Sequence, residues 1–206
     1  MRIAILVEGE TERVFVPKLR EYLKSLLPGK PQPRLDPVPI RGRIPTGEKL
    51  RRQVANPLSA GKQSADAVIA LTDVFTGTNP PEFASATDAK AKMQQWVGNE
   101  PRFFPHVALY DFEAWLLPYW PKIQKLAGTN MKPPSSKPEH VNHGKPPAER
   151  IKEAYRAGSK SKHYKKTVDA ARILQDADLK VAIDACPELK AFVNSILKLC
   201  GGDVLP

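Results

Sequence analysis

The chain has 206 residues, 41% of them hydrophobic, and carries 32 Lys and Arg against 22 Asp and Glu for a formal net charge of +10. That apolar share supports one packed domain, or one domain with an extension, and excludes wholesale disorder. The two cysteines, Cys186 and Cys200, form no CxxC pair near a histidine cluster, so a disulfide scaffold and a zinc site are not expected; two reduced thiols fit a reducing compartment.

The first predicted element is a buried strand, Arg2 to Val7, ended by the Glu8-Gly9 turn. Thr11 is expected to cap a helix with Glu12 in its first turn and Val14, Leu19, Leu23, Leu26 and Leu27 along it, stopped by Pro28-Gly29. A Pro-rich piece, Pro31 to Ile40, reads as an edge strand. A helix over Gly47 to Leu58 follows, then a second buried strand, Asp66 to Thr72, which delivers Asp73 into a loop of turn residues running to Pro81. Thr87 caps the next helix, which Gly98 closes. Phe103 to Tyr110 is a strand interrupted by Pro105, and Asp111 opens a helix to about Leu117. Gly128 to Pro147 is a long surface loop rich in Pro, Lys, Ser and Asn, and helices are expected over 147–157, 168–175, 179–185 and 187–199.

Alternating strands and helices predict βαβ units and a mostly parallel sheet. No apolar run approaches the ~18 residues that cross a membrane, and Met1 to Val7 is too short for a signal peptide, so a cytoplasmic location is expected. The excess of positive charge favours a polyanionic partner, most often nucleic acid, although a basic protein need not bind one.

Three acids share one placement: Glu8, Asp73 and Asp111 each follow a predicted strand, and Glu12 and Glu113 lie close by. In an open parallel sheet those strand ends sit side by side, where ligands bind. Crowded carboxylates repel one another unless a cation sits among them, and Mg²⁺ takes such oxygens together with substrate phosphates. Each acid also has a plain structural alternative. Glu8 can accept backbone N–H bonds in its turn, Glu12 can complement a helix dipole, Asp73 can make an Asx-turn, and Asp111 can be a helix N-cap.

The basic run Gly158 to Lys166 offers Lys160, Lys162, Lys165 and Lys166 to a phosphate backbone and Tyr164 as a stacking face; otherwise it is a solvated loop. Lys145 extends that run, and Arg41, Arg43, Arg51 and Arg52 form a second basic group. His106, His140, His143 and His163 lack metal-ligand spacing and suit local capping or surface roles, and Trp96, Trp115, Tyr119 and Trp120 are expected in the core or at an interface.

Glu8-Gly9-Glu10-Thr11-Glu12 after a buried strand resembles the first motif of Toprim domains, the metal-dependent module of topoisomerases, primases and OLD-type nucleases, and Asp73-Val74-Phe75 stands where their Asp-x-Asp pair falls. Over nearly the whole chain the sequence more closely resembles a bacterial Toprim-like group, domain-of-unknown-function family 4276. The blocks that carry this are VEGETE (7–12), LTDVFTGTNPP (71–81), DFEAWLLPYW (111–120), VNHGKPPAERI (141–151) and CPELKAF (186–192). The resemblance implies an α/β, Rossmann-like Toprim domain over 1–126, with a small mostly parallel sheet flanked by helices, and a helical C-terminal extension over 127–206. It implies a Mg²⁺- or Mn²⁺-dependent nuclease with Glu8, Asp73, Asp111 and Glu113 as catalytic residues and these four with Glu12 as metal ligands. It also implies mobile-element or phage defence beside an AAA or SMC-like ATPase. Phe75 replaces the second acid of the pair, so either Asp111 or Glu113 supplies the missing oxygen or the metal site has been lost. In the latter case the chain is an inactive partner of the ATPase, or a basic nucleic-acid binder without catalysis.

Overall fold

A computed structural model describes residues 1–40, 42–74, 82–141, 144–159 and 163–206. The strands β1 (Arg2–Val7), β2 (Arg34–Pro39), β3 (Ala67–Val74) and β4 (Phe103–Leu109) form one sheet in the order β2-β1-β3-β4, and every pairing is parallel. Helices α1 (Glu10–Leu26), α2 (Gly47–Leu58) and α3 (Ala86–Val97) make the three crossovers. Pro37, Pro39 and Pro105 all fall on the two edge strands, where a missing N–H is tolerated.

Side chains alternate along each strand, and this splits the core. Ile3, Ile5, Val7, Ile69 and Leu71 face α1, while Ala4, Leu6, Val68 and Ala70 face Leu50 and Val54 of α2 and Met93 and Val97 of α3. After β4 come a 3-10 segment (Phe112–Tyr119), α4 (Trp120–Ala127) and a short 3-10 turn at Pro138–His140. Helices α5 (Pro147–Ala157), α6 (Lys166–Leu174), α7 (Leu179–Ala185) and α8 (Pro187–Leu199) complete the chain. Ile151, Tyr155, Ile173, Ile183 and Phe192 from these last helices share one apolar cluster with β1, β3, α1 and Trp115. Gly158 packs directly on α4: a Cβ there would lie 2.0 Å from the Ala127 carbonyl oxygen. Among the described residues no helix is long and apolar enough to cross a membrane.

Several local expectations are corrected. Thr11 lies inside α1, buried, and Gly9 is the N-cap without a side-chain cap bond. Ser85, not Thr87, caps α3, its hydroxyl accepting from the Asp88 amide at 3.0 Å. Residues 112–119 form a 3-10 segment rather than an α-helix, since Pro118 has no N–H to donate and its ring would collide with the carbonyl four residues back. Asp73 lies inside β3, paired with Ala108, and not in a loop.

Candidate functional site

Strand alternation decides where Asp73 points. Leu71 faces α1, so Asp73, two residues on, is on the same side at the C-terminal end of the sheet. Val7 pairs with Leu71, which brings Glu8 level with Thr72 on the neighbouring strand. Glu12 occupies the buried stripe of α1 that continues through Phe15, Leu19 and Leu23, so the first turn carries an acid on the core side. After β4, Tyr110 adopts a left-handed backbone (φ 68°) that redirects the chain into the 3-10 segment. Asp111 and Glu113, in that turn, are 2% and 1% exposed.

The five acids lie within one another's fields. Burial raises the Asp73 pKa well above the usual carboxylate range, and the charges of Glu8, Glu12, Asp111 and Glu113 push it further. Glu12 is raised by burial and by Glu8 and Glu113. Asp111 is raised by burial and by Glu113. Glu8 is raised by burial, which outweighs its hydrogen bonds and the nearby Arg43 charge. Its Oε1 accepts from the Thr72 hydroxyl, from the Asp73 amide at 3.2 Å and from the Ile44 amide at 3.3 Å.

The C-terminal helices close over this end. Asp111 Oδ2 accepts from the Ala148 amide in the first turn of α5 at 3.2 Å, while its buried Oδ1 has no hydrogen-bond partner among the described residues. The Lys166 ammonium, at the start of α6, sits 3.3 Å from Glu113 Oε1 and 3.4 Å from Oε2. Burial lowers the Lys166 pKa, but Glu113, Asp111 and Asp73 together overcome that and hold it above the usual value. Tyr164 donates to Glu113 at 3.4 Å and is 8% exposed, packed against Tyr155; this burial leaves it no open face for a stacking base.

The donor chemistry suits a hard divalent cation: every group is a carboxylate oxygen, charge is under-compensated, and one buried oxygen of Asp111 has no partner among the described residues. As the side chains stand, no group of three or more Asp, Glu, His or Cys among the described residues is placed to hold a metal ion. Asp111 and Glu113 are instead engaged by Ala148, Tyr164 and Lys166.

The proposed basic residues scatter. Arg43 lies on the acid side, within the field of Glu8 and 3.6 Å from Glu82. Arg51 and Arg52 pair with Glu48 on the outer face of α2, and Lys145 pairs with Glu153. Arg51 also lines a groove of about 360 Å³ with Val54, Leu58, Trp96 and Gly98. Those residues come from the C-terminal ends of α2 and α3, so the groove lies at the end of the sheet away from the acids. Lys165 contributes its amide to Asp169 at 2.8 Å and exposes its side chain. Arg41, Phe75, His143, Lys160 and Lys162 lie outside the described residues.

Sequence reading missed two groups. Thr72, the hydroxyl on Glu8, stands beside Asp73 and was passed over as a strand residue. Glu139 is 2% exposed and accepts from Trp115 Nε1 and the Glu188 amide, both at 3.0 Å. Nothing in a loop rich in Pro and Lys signals a buried acid. His106, for which the sequence suggests a local capping or surface role, is instead buried with Nε2 at 2.9 Å from Ser195 Oγ, and burial with the Lys90 charge lowers its pKa to about 3.

A four-stranded parallel sheet flanked by helices, with acids gathered at its carboxyl end, defines an open-sheet α/β protein. The C-terminal region of the Burkholderia pseudomallei OLD protein has a similar fold, with a TM-score of 0.50, 15% sequence identity, and coverage of 96% of this chain and 95% of that one. The C-terminal region of the Xanthomonas campestris pv. campestris OLD protein aligns over 95% of this chain and 92% of its own, at 14% identity and a TM-score of 0.46. No curated protein matches the chain in sequence. The model of the domain of unknown function DUF4276 matches residues 7–197, and the chain belongs to that family.

Proposed function

We propose that the protein is a Mg²⁺-dependent enzyme that cleaves phosphodiester bonds of nucleic acid. The observation that carries this reading is the Asp73 carboxylate, set at a strand end amid four other acids that each raise its pKa. Glu8, Asp73 and Asp111 would hold the cation, with Glu12 and Glu113 supporting it. A bound Mg²⁺ would supply Lewis acidity toward a phosphoryl oxygen and acidify a water ligand. Glu8, if not a ligand, is suited to accept the proton of the attacking water, since burial raises its pKa and makes it a stronger base than an ordinary carboxylate. Arg43 and Lys166 flank the acids from two sides and suit the non-bridging oxygens of the substrate. Lys145, Lys160, Lys162, Lys165, Arg41, Arg51 and Arg52 would add attraction to the backbone, without sequence preference.

Plasmid and single-stranded substrates incubated with Mg²⁺ or Mn²⁺ test this reading beside Asp73→Ala. Cleavage by the wild type is expected, with a loss in the variant beyond the ~10–100-fold that outer-shell partners of a metal cost, since Asp73 would be a ligand itself. Equal cleavage by both would remove the idea.

A second reading has its own support. With Glu113 paired to Lys166, Asp111 turned to α5, and no assembled ligand group among the described residues, the fold would also serve as an inactive partner of an AAA or SMC-like ATPase in phage or mobile-element defence. This reading expects capture of the ATPase by wild type and Asp73→Ala alike, with no metal-dependent cleavage. A plain nucleic-acid binder would show salt-dependent binding indifferent to the acids.

A further inference from the structure

Glu8 differs from the other acids in how it is held. Three donors converge on its Oε1: the amides of Ile44 and Asp73 and the hydroxyl of Thr72. The described residues supply no such donor to Oε2. Two of the three donors are backbone groups fixed by β3 and by the loop before α2. Thr72 provides the side-chain donor, and it is 5% exposed, so water does not readily replace it. Its place follows from the parallel register that sets Glu8 beside it, and it immediately precedes Asp73.

We infer that Thr72 is a positioning residue for Glu8. By engaging Oε1, its hydroxyl fixes the carboxylate rotamer and leaves Oε2 as the oxygen offered to a divalent cation. The inference rests on the carboxylates being a cation site. Hydrogen bonds of this kind orient ligating carboxylates and tune metal affinity. A carboxylate freed from its side-chain donor must find its orientation again at each binding event, so the effect belongs in the affinity for the ion.

Thr72→Val keeps the shape of the side chain and removes the donor, and Thr72→Ser restores the donor without the methyl. Mn²⁺ is titrated into the full chain, and the electron paramagnetic resonance of free aqueous Mn²⁺ gives the bound fraction. Thermal unfolding of each metal-free variant reports the fold. Thr72→Val is expected to bind Mn²⁺ at least ~10-fold more weakly, and Thr72→Ser to stay within about threefold of wild type, on the scale of outer-shell partners of metal ligands. Should Thr72→Val not fold, Thr72→Ala enters the same titration with the same expectation. Wild-type affinity in Thr72→Val, or equal loss in the serine variant, would overturn the positioning role while leaving the cation site in place. Absence of Mn²⁺ uptake by the wild type itself would overturn the cation site, and the role of Thr72 with it.

Discussion

Asp73 concentrates the electrostatic conflict of the molecule. A carboxylate in water has a pKa near 4. Here burial and four neighbouring acids raise it well above that, and Glu8, Glu12 and Asp111 are raised as well. A raised acid pKa means that the folded state binds protons more tightly than the unfolded one. The folded protein is therefore favoured at low pH, below the unfolded pKa, and this contribution is lost as pH climbs from about 4 toward the raised values. Asp73→Asn removes one charge from the cluster at nearly constant volume. The metal-free variant should melt higher than wild type at about pH 8, by a few degrees for roughly 1 kcal/mol. The gain should shrink as pH falls toward the ordinary carboxylate range, because the native acid takes up a proton before the unfolded one does. A variant that melts lower at both pH values would show that Asp73 is a satisfied structural acid. At this scale the sequence was partly readable. An acid after a buried strand flagged Glu8, Asp73 and Asp111. Glu12 was legible as a first-turn acid of α1, though not as a buried one. The pairing of Lys166 with Glu113 was not, because 53 positions separate them and only the docking of α6 joins them.

Helices α2, α5, α7 and α8 match their expected bounds, because each end carries a local signal such as Pro147 or Pro187 in the first turn. Segments whose ends depend on tertiary contacts did not. Gly128 to Pro147 read as plain loop, yet Pro138–His140 form a turn anchored by Glu139, which ties the 3-10 segment to α8 through Trp115 Nε1 and the Glu188 amide. Burial raises the Glu139 pKa against those two hydrogen bonds, so the acid costs something to bury and is retained by its partners. Glu139→Ala leaves the indole N–H and the helix amide unpaired, each costing about 1–3 kcal/mol, of which the relieved burial of the acid returns part. A loss of about 2–4 kcal/mol in denaturant unfolding is expected. A loss under about 0.5 kcal/mol would mean that water or relaxation replaces the anchor. Since Trp115 stands two residues after Glu113 and four after Asp111, this anchor bears on how firmly the acids are held.

The whole molecule sets a strongly basic chain around an acidic pocket, with a net charge of +10 and five carboxylates at one end of the sheet. Long-range attraction brings a polyanion to such a protein, and the pocket admits it closely only when its own negative charge is offset. Lys166 and the first turn of α5 offset part of it in the metal-free fold. Both come from the helices after residue 127, so the segment that read as an appended extension contributes groups to the site itself. The sequence showed the acids and the basic runs as separate features. It could not show that α5 and α6 bring them together, since that requires the apolar faces of both helices to dock beside α1 and the 3-10 segment. The central measurement is calorimetric titration of Mn²⁺ into the wild-type chain at about pH 7.5, in two buffers of different ionisation enthalpy, beside Asp73→Asn. The expected result is uptake by the wild type with heats that differ between the buffers, because protons leave the raised carboxylates as the ion enters, and binding at least ~10-fold weaker in the variant. Absence of uptake at millimolar Mn²⁺, or equal uptake by both proteins, would contradict it.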